Sequence, residues 1–404
     1  MKAHILIVAD GRSPTARSWI ANIQALDYGV SLISTFPCQP PVELLHFHVF
    51  PVAFSRFSSN GTSGPVMINV RKQPSGLKRL VQHFTPLFQS LRYRLGPLTL
   101  RWYAGPYQRL VKEIKPDLVH ALRIPFEGML GSFTPSEIPF LTATWGNDLT
   151  LHARGSFLMR YYTRRCLTQA EGFTADTHRD VQLAYKWGLE PAAPTLVVPG
   201  SGGLDLKAIQ QAENFDTVKY GIPQPGTWVV NPRGLRPGSV HQEVFIATIP
   251  KVLAKHPETV FICPNLGGVK QADAWMATYG IKSQTFLLPK LSQQDLWALF
   301  KEAQVFVSPS SHDGTPNTLL EAMACGCFPV AGKIEPLQEW IEDGVNGLLV
   351  DPRNPEELAD AIVKALESPD LQRKAAKRNL EIIQNRAAQN ATRPKIDDFY
   401  LKFL

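Results

Sequence analysis

The chain reads as two doubly wound α/β domains facing a central cleft. Three observations predict this. Short apolar runs bounded by turn residues recur along the 404 residues, as buried parallel strands do. Amphipathic stretches separate them, so crossovers rather than hairpins join the strands. The Gly-rich run Pro199-Gly-Ser-Gly-Gly-Leu204 then interrupts the alternation, which restarts after it. The expected domains are 1–200 and 201–385, with a tail, 386–404, that packs back on the first domain.

In the first domain Ile5–Ala9 is the opening strand. Asp10–Pro14 turns the chain, with Ser13 as helix N-cap and Pro14 at the first helical position. Trp19, Ile20, Ile23 and Leu26 recur at helical spacing, and Gly29 is expected to end that helix. Val30–Ile33, Leu44–Phe50, Leu118–Leu122, Phe140–Thr144, Gly172–Ala175 and Thr195–Val198 are the following strands. Tyr107–Ile114 and Phe157–Glu171 are helical. In the second domain the strands are Trp228–Asn231, Thr259–Cys263, Thr285–Leu288, Val305–Ser308, Phe328–Ala331 and Gly347–Val350. Helices are predicted over Val244–Leu253, Asp295–Phe300, Pro316–Ala324, Pro355–Leu366 and Asp370–Gln384. Two such domains set the carboxyl ends of both sheets, the usual ligand side, across a shared cleft.

Composition excludes several classes. No apolar run approaches the roughly 18 residues of a membrane-spanning helix. The apolar run near Met1 is only Ile5–Ala9, too short for a signal peptide. Five scattered cysteines do not make a disulfide scaffold and predict reduced thiols in a cytoplasmic protein. Cys325-Gly-Cys327 lacks the second pair or nearby His of a zinc site, so no metal is expected. The net charge is +7, yet Arg71 to Lys115 holds ten basic residues and one acid, Glu113. The remainder is therefore slightly acidic. The basic stretch carries Leu77, Leu80, Val81, Phe84, Leu87, Phe88 and Leu91 at near-helical spacing, then aromatics interleaved with Arg. Either an anionic membrane surface, met peripherally at the inner face, or a solvated Arg-rich face over the first sheet accounts for it. No motif accompanies the charge to suggest nucleic acid.

The sharpest segment follows the strand Val305–Ser308. A loop, Pro309 to Gly314, leads to Thr315 as expected N-cap and Pro316 as first helical residue. The free amides and dipole of that helix make an anion site. Asp313 in the loop and Glu321 in the helix have seven residues between them, so they reach different parts of one ligand.

This segment, PSSHDGTPNTLLEAMACG, resembles the Glu-x7-Glu region of retaining glycosyltransferases of the GT-B fold, family four. Glu339-Trp-Ile-Glu-Asp-Gly-Val-Asn-Gly-Leu348 continues the likeness. Pro116-Asp-Leu-Val-His120, Thr144-Trp-Gly-Asn-Asp148 and Gly203-Leu-Asp205 match weaker family marks in order, so the resemblance spans nearly the whole chain. It implies a metal-independent enzyme without cofactor. A sugar passes from a nucleoside-diphosphate sugar to the hydroxyl of a glycan, lipid-linked or small-molecule acceptor. Glu321 would hold the donor ribose and Asp313 the sugar. Gly314, Thr315, Pro316 and Asn317 would face sugar and phosphate, and Arg233 would meet the diphosphate. Ser13, His120 and Asp148 are the acceptor-side candidates. From the residues alone, Asp148 reads equally as a helix N-cap and His120 as a core histidine. Asp313 stands where the family has Glu. Gly238 and Ser239 stand where it has Lys, with Arg236 and His241 as replacements. Two rival functions share the architecture, a nucleotide-sugar epimerase and a non-catalytic nucleotide-sugar-binding protein. A nicotinamide-dependent dehydrogenase is disfavoured, because Gly11 belongs to no G-x-G-x-x-G fingerprint.

Overall fold

A computed structural model describes residues 1–55, 92–224 and 226–404. Met1–Gly202 together with Thr392–Leu404 forms one compact unit, and Gly203–Ala391 forms the other. The apolar part of the basic stretch, Leu77 to Leu91, lies outside the described residues.

The first unit holds β1 (His4–Ala9), α1 (Pro14–Gln24), β2 (Gly29–Ser34), β3 (Phe47–Val49), α2 (Leu98–Ile114), β4 (Leu118–Ala121), β5 (Phe140–Thr144), α3 (Phe157–Gln169), β6 (Gly172–Ala175), α4 (His178–Trp187) and β7 (Thr195–Val197). Its seven strands run β3-β2-β1-β4-β5-β6-β7, with parallel pairing throughout. The apolar run of β1 is continuous because both faces of the sheet are covered. Ile5, Ile7 and Ala9 pack on one face, Leu6 and Val8 on the other, as the two-residue period of a strand requires. Ser13 caps α1 by accepting from the Ala16 amide. The helix stops at Gln24, and the turn that follows is made by Asp27 at φ 69°. Gly29, expected to end the helix, is the first residue of β2.

The second unit holds β8 (Thr227–Val230), α5 (Gln242–Lys255), β9 (Thr259–Pro264), α6 (Lys270–Tyr279), β10 (Thr285–Leu288), α7 (Gln293–Glu302), β11 (Val305–Ser308), α8 (Asn317–Cys325), β12 (Phe328–Gly332), β13 (Leu348–Val350), α9 (Pro355–Leu366) and α10 (Pro369–Arg386). The strand order is β10-β9-β8-β11-β12-β13, again all parallel. Trp228, Val230 and Phe306 face one core, Val229, Val305 and Val307 the other.

A last helix, α11 (Gln389–Tyr400), carries the chain back, and from Thr392 onward it belongs to the first unit. Ile396, Phe399 and Tyr400 pack beside Trp19 and Ile20. The Trp19 indole donates to the Tyr400 hydroxyl at 2.9 Å. Among the described residues no helix is long and apolar enough to cross a membrane.

Candidate active site

In the second sheet the order of connection reverses between β8 and β11, which are neighbours. A doubly wound sheet opens a crevice at the carboxyl ends of two such strands, because their loops depart to opposite faces. Arg233 follows β8 and Asp313 follows β11. The two meet there, Arg233 Nη2 to Asp313 Oδ2 at 2.5 Å. Arg233 is buried and Asp313 nearly so. The Arg233 Nη1 group also reaches the Thr318 hydroxyl, in the first turn of α8, at 3.4 Å. Its Nε has no hydrogen-bond partner. A guanidinium carries five donors, so this one retains donor capacity in a buried place.

Amide side chains hold the loop that carries Arg233. Asn231 Oδ1 accepts from the Arg233 backbone amide at 3.1 Å, and Asn231 Nδ2 donates to Gln242 at 2.9 Å. Gln242 also donates to the Arg233 carbonyl. Asn265 donates to the Pro232 carbonyl at 2.9 Å. These are positioning residues that sequence reading missed. Only the strand–loop–helix placement of Asn231 and Gln242, at the two ends of one turn, hinted at them.

The Asp313 loop is pinned from the other side by the turn 236–241. Val240 pairs with Ser310. The Ser239 hydroxyl donates to the His312 carbonyl at 2.5 Å, and the Ser311 amide donates to the Ser239 carbonyl at 2.9 Å. Gly238 sits in this turn at φ 77°, where a side chain would be strained. So the positions where the family has Lys build the loop support. His241 is engaged with Glu243 and Ser311, at 3.1 and 2.9 Å, and Arg236 is exposed.

Two expectations about α8 need correction. The helix begins at Asn317, with Pro316 at the N-cap and no side-chain cap. Thr315 is therefore not the N-cap residue. Its hydroxyl accepts the Trp340 indole N–H at 2.9 Å and ties the loop down. Pro316 has an extended ψ of 123° and lies outside the helix, and the uncapped end leaves its amide dipoles facing the Arg233–Thr318 contact. Gly314 donates its amide to Asp313 Oδ1 at 3.1 Å.

Glu321 projects from the second turn of α8, on the face shared by Asn317 and Thr318. It is 7% exposed. Burial pushes its carboxyl up to about 7, against the nearby Gln293 and Trp297 side chains of α7. The Trp297 indole faces it without a hydrogen bond of ordinary geometry. The Arg233–Asp313 pair thus meets the first turn of α8 and Glu321 lies in its second. Among the described residues no group of three or more His, Cys, Asp or Glu is placed to hold a metal ion.

The first unit has its own reversal, between β1 and β4. Arg12 pairs with Asp10 at 3.0 Å after β1, and Arg123 pairs with Asp148 at 2.9 Å after β4. Asp148 is fully buried and also accepts from the Trp145 and Ile124 amides. It locks two loops together and does not cap a helix. Glu127, not anticipated from sequence, lies in the turn after β4 and accepts from Thr35 at 2.7 Å. Burial moves its carboxyl up to about 7, against Arg123 and the Thr35 bond. Its neighbour Phe126 is held at φ 70°, a strained conformation of the kind that accumulates at ligand sites. His120 is overturned as an acceptor contact. It is fully buried, with Nδ1 on Tyr400 at 2.8 Å and Nε2 near Thr174 at 3.4 Å. Burial drops it to about 3, so it is a neutral core histidine. Ser13 stays where its capping bond holds it.

Comparison with known proteins bears on both units of the chain. Residues 239–381 match the family "Glycosyl transferases group 1", and residues 66–177 match "Glycosyl transferase 4-like". A D-inositol 3-phosphate glycosyltransferase of Corynebacterium jeikeium is 27% identical over 82% of this chain and 89% of its own. Another, from Saccharomonospora viridis, is 26% identical over 50% of this chain, which spans about half (49%) of that relative's length. Among solved structures, Anabaena HepE in complex with UDP-glucose superposes with a TM-score of 0.69 at 18% identity, covering both chains entirely. Sucrose-phosphate synthase from Thermosynechococcus elongatus gives 0.70 at 16%, over 99% of this chain and 98% of its own. At such identities the structural likeness concerns the fold. With the two sequence matches, one in each unit, and two all-parallel sheets of this kind, the chain carries glycosyltransferase sequence in both units on a GT-B-like fold and resembles the family-four glycosyltransferases.

Proposed function

We propose that this protein is a retaining, metal-independent glycosyltransferase that moves a sugar from a nucleoside-diphosphate sugar to an acceptor hydroxyl. The observation that carries the reading is the buried Arg233–Asp313 pair beside the uncapped end of α8. Departure of a nucleoside diphosphate builds negative charge on the leaving oxygen. A fixed guanidinium with spare donors and a helix N-terminus stabilise that charge without reorganisation. Asp313, held on Arg233, is placed to contact the sugar next to that diphosphate. Glu321, further along the helix, accepts from the ribose hydroxyls. The relatives with bound UDP and UDP-glucose make a uridine donor the first to test. The names of the inositol-phosphate relatives make a phosphorylated polyol the first acceptor to test. The Arg12, Glu127 and Asp148 end of the first sheet is the acceptor side of this reading, and peripheral attachment to an anionic surface is part of it.

A thermal-shift panel of nucleoside diphosphates and their sugars tests donor binding, since a ligand of the folded state raises Tm by mass action. The reading expects one base to stand out, and transfer with retained anomeric configuration that survives a chelator. Epimerised sugar without acceptor, or diphosphate binding with no transfer to any acceptor, would replace it.

A further inference from the structure

We propose that α2 and α3 together form a docking face for an anionic lipid bilayer. It deepens the peripheral part of the functional reading and is independent of the transfer chemistry.

The outward side of α2 carries Leu98, Arg101, Trp102 and Arg109, spaced as one helix face. The outward side of α3 repeats the pattern with Phe157, Arg160, Tyr161 and Arg164. Trp102 is 71% exposed, Phe157 80% and Tyr161 52%. Aromatic side chains this open, grouped on one face, mark a surface that another body covers.

The two helices are linked through the segments that flank them, and both pack on the turn 129–131. Ser156, the N-cap of α3, donates to the Tyr93 carbonyl at 2.6 Å, and Tyr93 meets His152 at 2.6 Å. Further along, Gln108 of α2 donates to the Phe133 carbonyl at 3.1 Å, while Arg165 of α3 lies over the Phe133 ring at 4.6 Å. Residues 149–170, which hold all of α3, and 92–112, which hold α2 as far as Lys112, contain Arg and Lys but no Asp or Glu; Glu113 in the last turn of α2 is the one acid of the two helices. Arg101, Arg160 and Arg164 have no ion-pair partner among the described residues.

Charge complementarity selects the occupant. A second copy of the chain would bring like charges together. Lipid phosphates accept from the guanidiniums, while Trp102, Phe157 and Tyr161 enter the headgroup boundary, where amphipathic rings are favoured. Each basic group near such a surface contributes attraction that salt screens.

The test is co-sedimentation of the full chain with vesicles of phosphatidylcholine alone, or mixed equally with phosphatidylglycerol, at low and high salt. The expected result is binding to the mixed vesicles only, weakened by salt. It should fall about tenfold or more in Arg101→Glu/Arg160→Glu/Arg164→Glu and in Trp102→Ser/Phe157→Ser/Tyr161→Ser. Both variants should keep the wild-type Tm and its rise with uridine diphosphate, since the changes are on the surface of the first unit. Absence of wild-type binding, equal binding to both vesicles, or unchanged binding by either variant overturns the face and leaves the transferase reading standing. A dimer that either variant dissolves overturns it in favour of self-association.

Discussion

Arg233 and Asp313 come from loops 80 residues apart in sequence and meet at 2.5 Å because their strands, β8 and β11, are neighbours where the second sheet reverses its order. The guanidinium is buried and keeps an unpartnered Nε. The pair thus forms one unit, and in the proposed reading the carboxylate meets the sugar while the cation that positions it meets the phosphates.

Asp313→Ala is therefore expected to slow transfer by on the order of a hundredfold while leaving uridine diphosphate affinity within a few-fold. It also strands a buried cation, which lowers Tm. Added diphosphate should raise Tm by a similar amount in this variant and in wild type, because the rise follows the affinity. Steady-state kinetics and melts with and without ligand check both parts. A variant that loses diphosphate affinity along with turnover would remove the division of labour.

Arg233→Ala should weaken uridine diphosphate by roughly tenfold or more and leave uridine binding nearly unchanged, as expected for a charge-assisted contact worth about 1.5–3 kcal/mol. Calorimetric titration of the two ligands separates them. Equal losses would show that Arg233 supports the fold of the site and not the phosphates.

Glu321 gives a pH signature. Its carboxyl titrates near 7 in the folded chain against 4.5 normally. The folded state therefore holds a proton that the unfolded state has released between those values, and stability falls as pH rises through that window. Glu321→Gln removes the ionisation, so it should melt higher than wild type at pH 8, by about 1–3 kcal/mol of stability, with the gap closing below about 4.5. Donor binding should move the other way. In the proposed reading the carboxylate accepts from ribose hydroxyls, so wild-type donor affinity should improve as pH rises through about 7, and the Gln variant should show no such slope. A flat pH dependence in wild type would detach Glu321 from the ribose.

Tyr400→Phe tests the reassignment of His120. The hydroxyl serves both Trp19 and His120. Its removal leaves buried polar groups unpaired, at a cost of about 1–3 kcal/mol. Denaturant unfolding should show that loss while kcat and acceptor KM remain at wild-type values. A large rise in acceptor KM would return His120 to the acceptor side.

The thirteen strands among the described residues were legible because buried parallel strands are short, apolar and bounded by turns. The helices were legible only where an apolar stripe was dense. His178–Trp187 and Lys270–Tyr279 bury few apolar side chains each and gave too weak a period to read. The first half of α2 was hidden because its open aromatics and arginines break the pattern of a core-facing helix. The seven-residue spacing singled out Asp313 in its loop and Glu321 in the helix, and the family resemblance named Arg233 after a strand. Their roles depend on neighbours that sequence order does not supply. Thr315, a good N-cap by type, answers to the Trp340 indole. His120 answers to Tyr400 at the far end of the chain, and Glu127 to Thr35 and Arg123. Secondary structure follows from local burial and turn chemistry, so the sequence determined the fold class and the order of its elements. Side-chain partners, protonation and the pairing of Arg233 with Asp313 depend on which loops the sheet order brings together, and only the tertiary structure decided those.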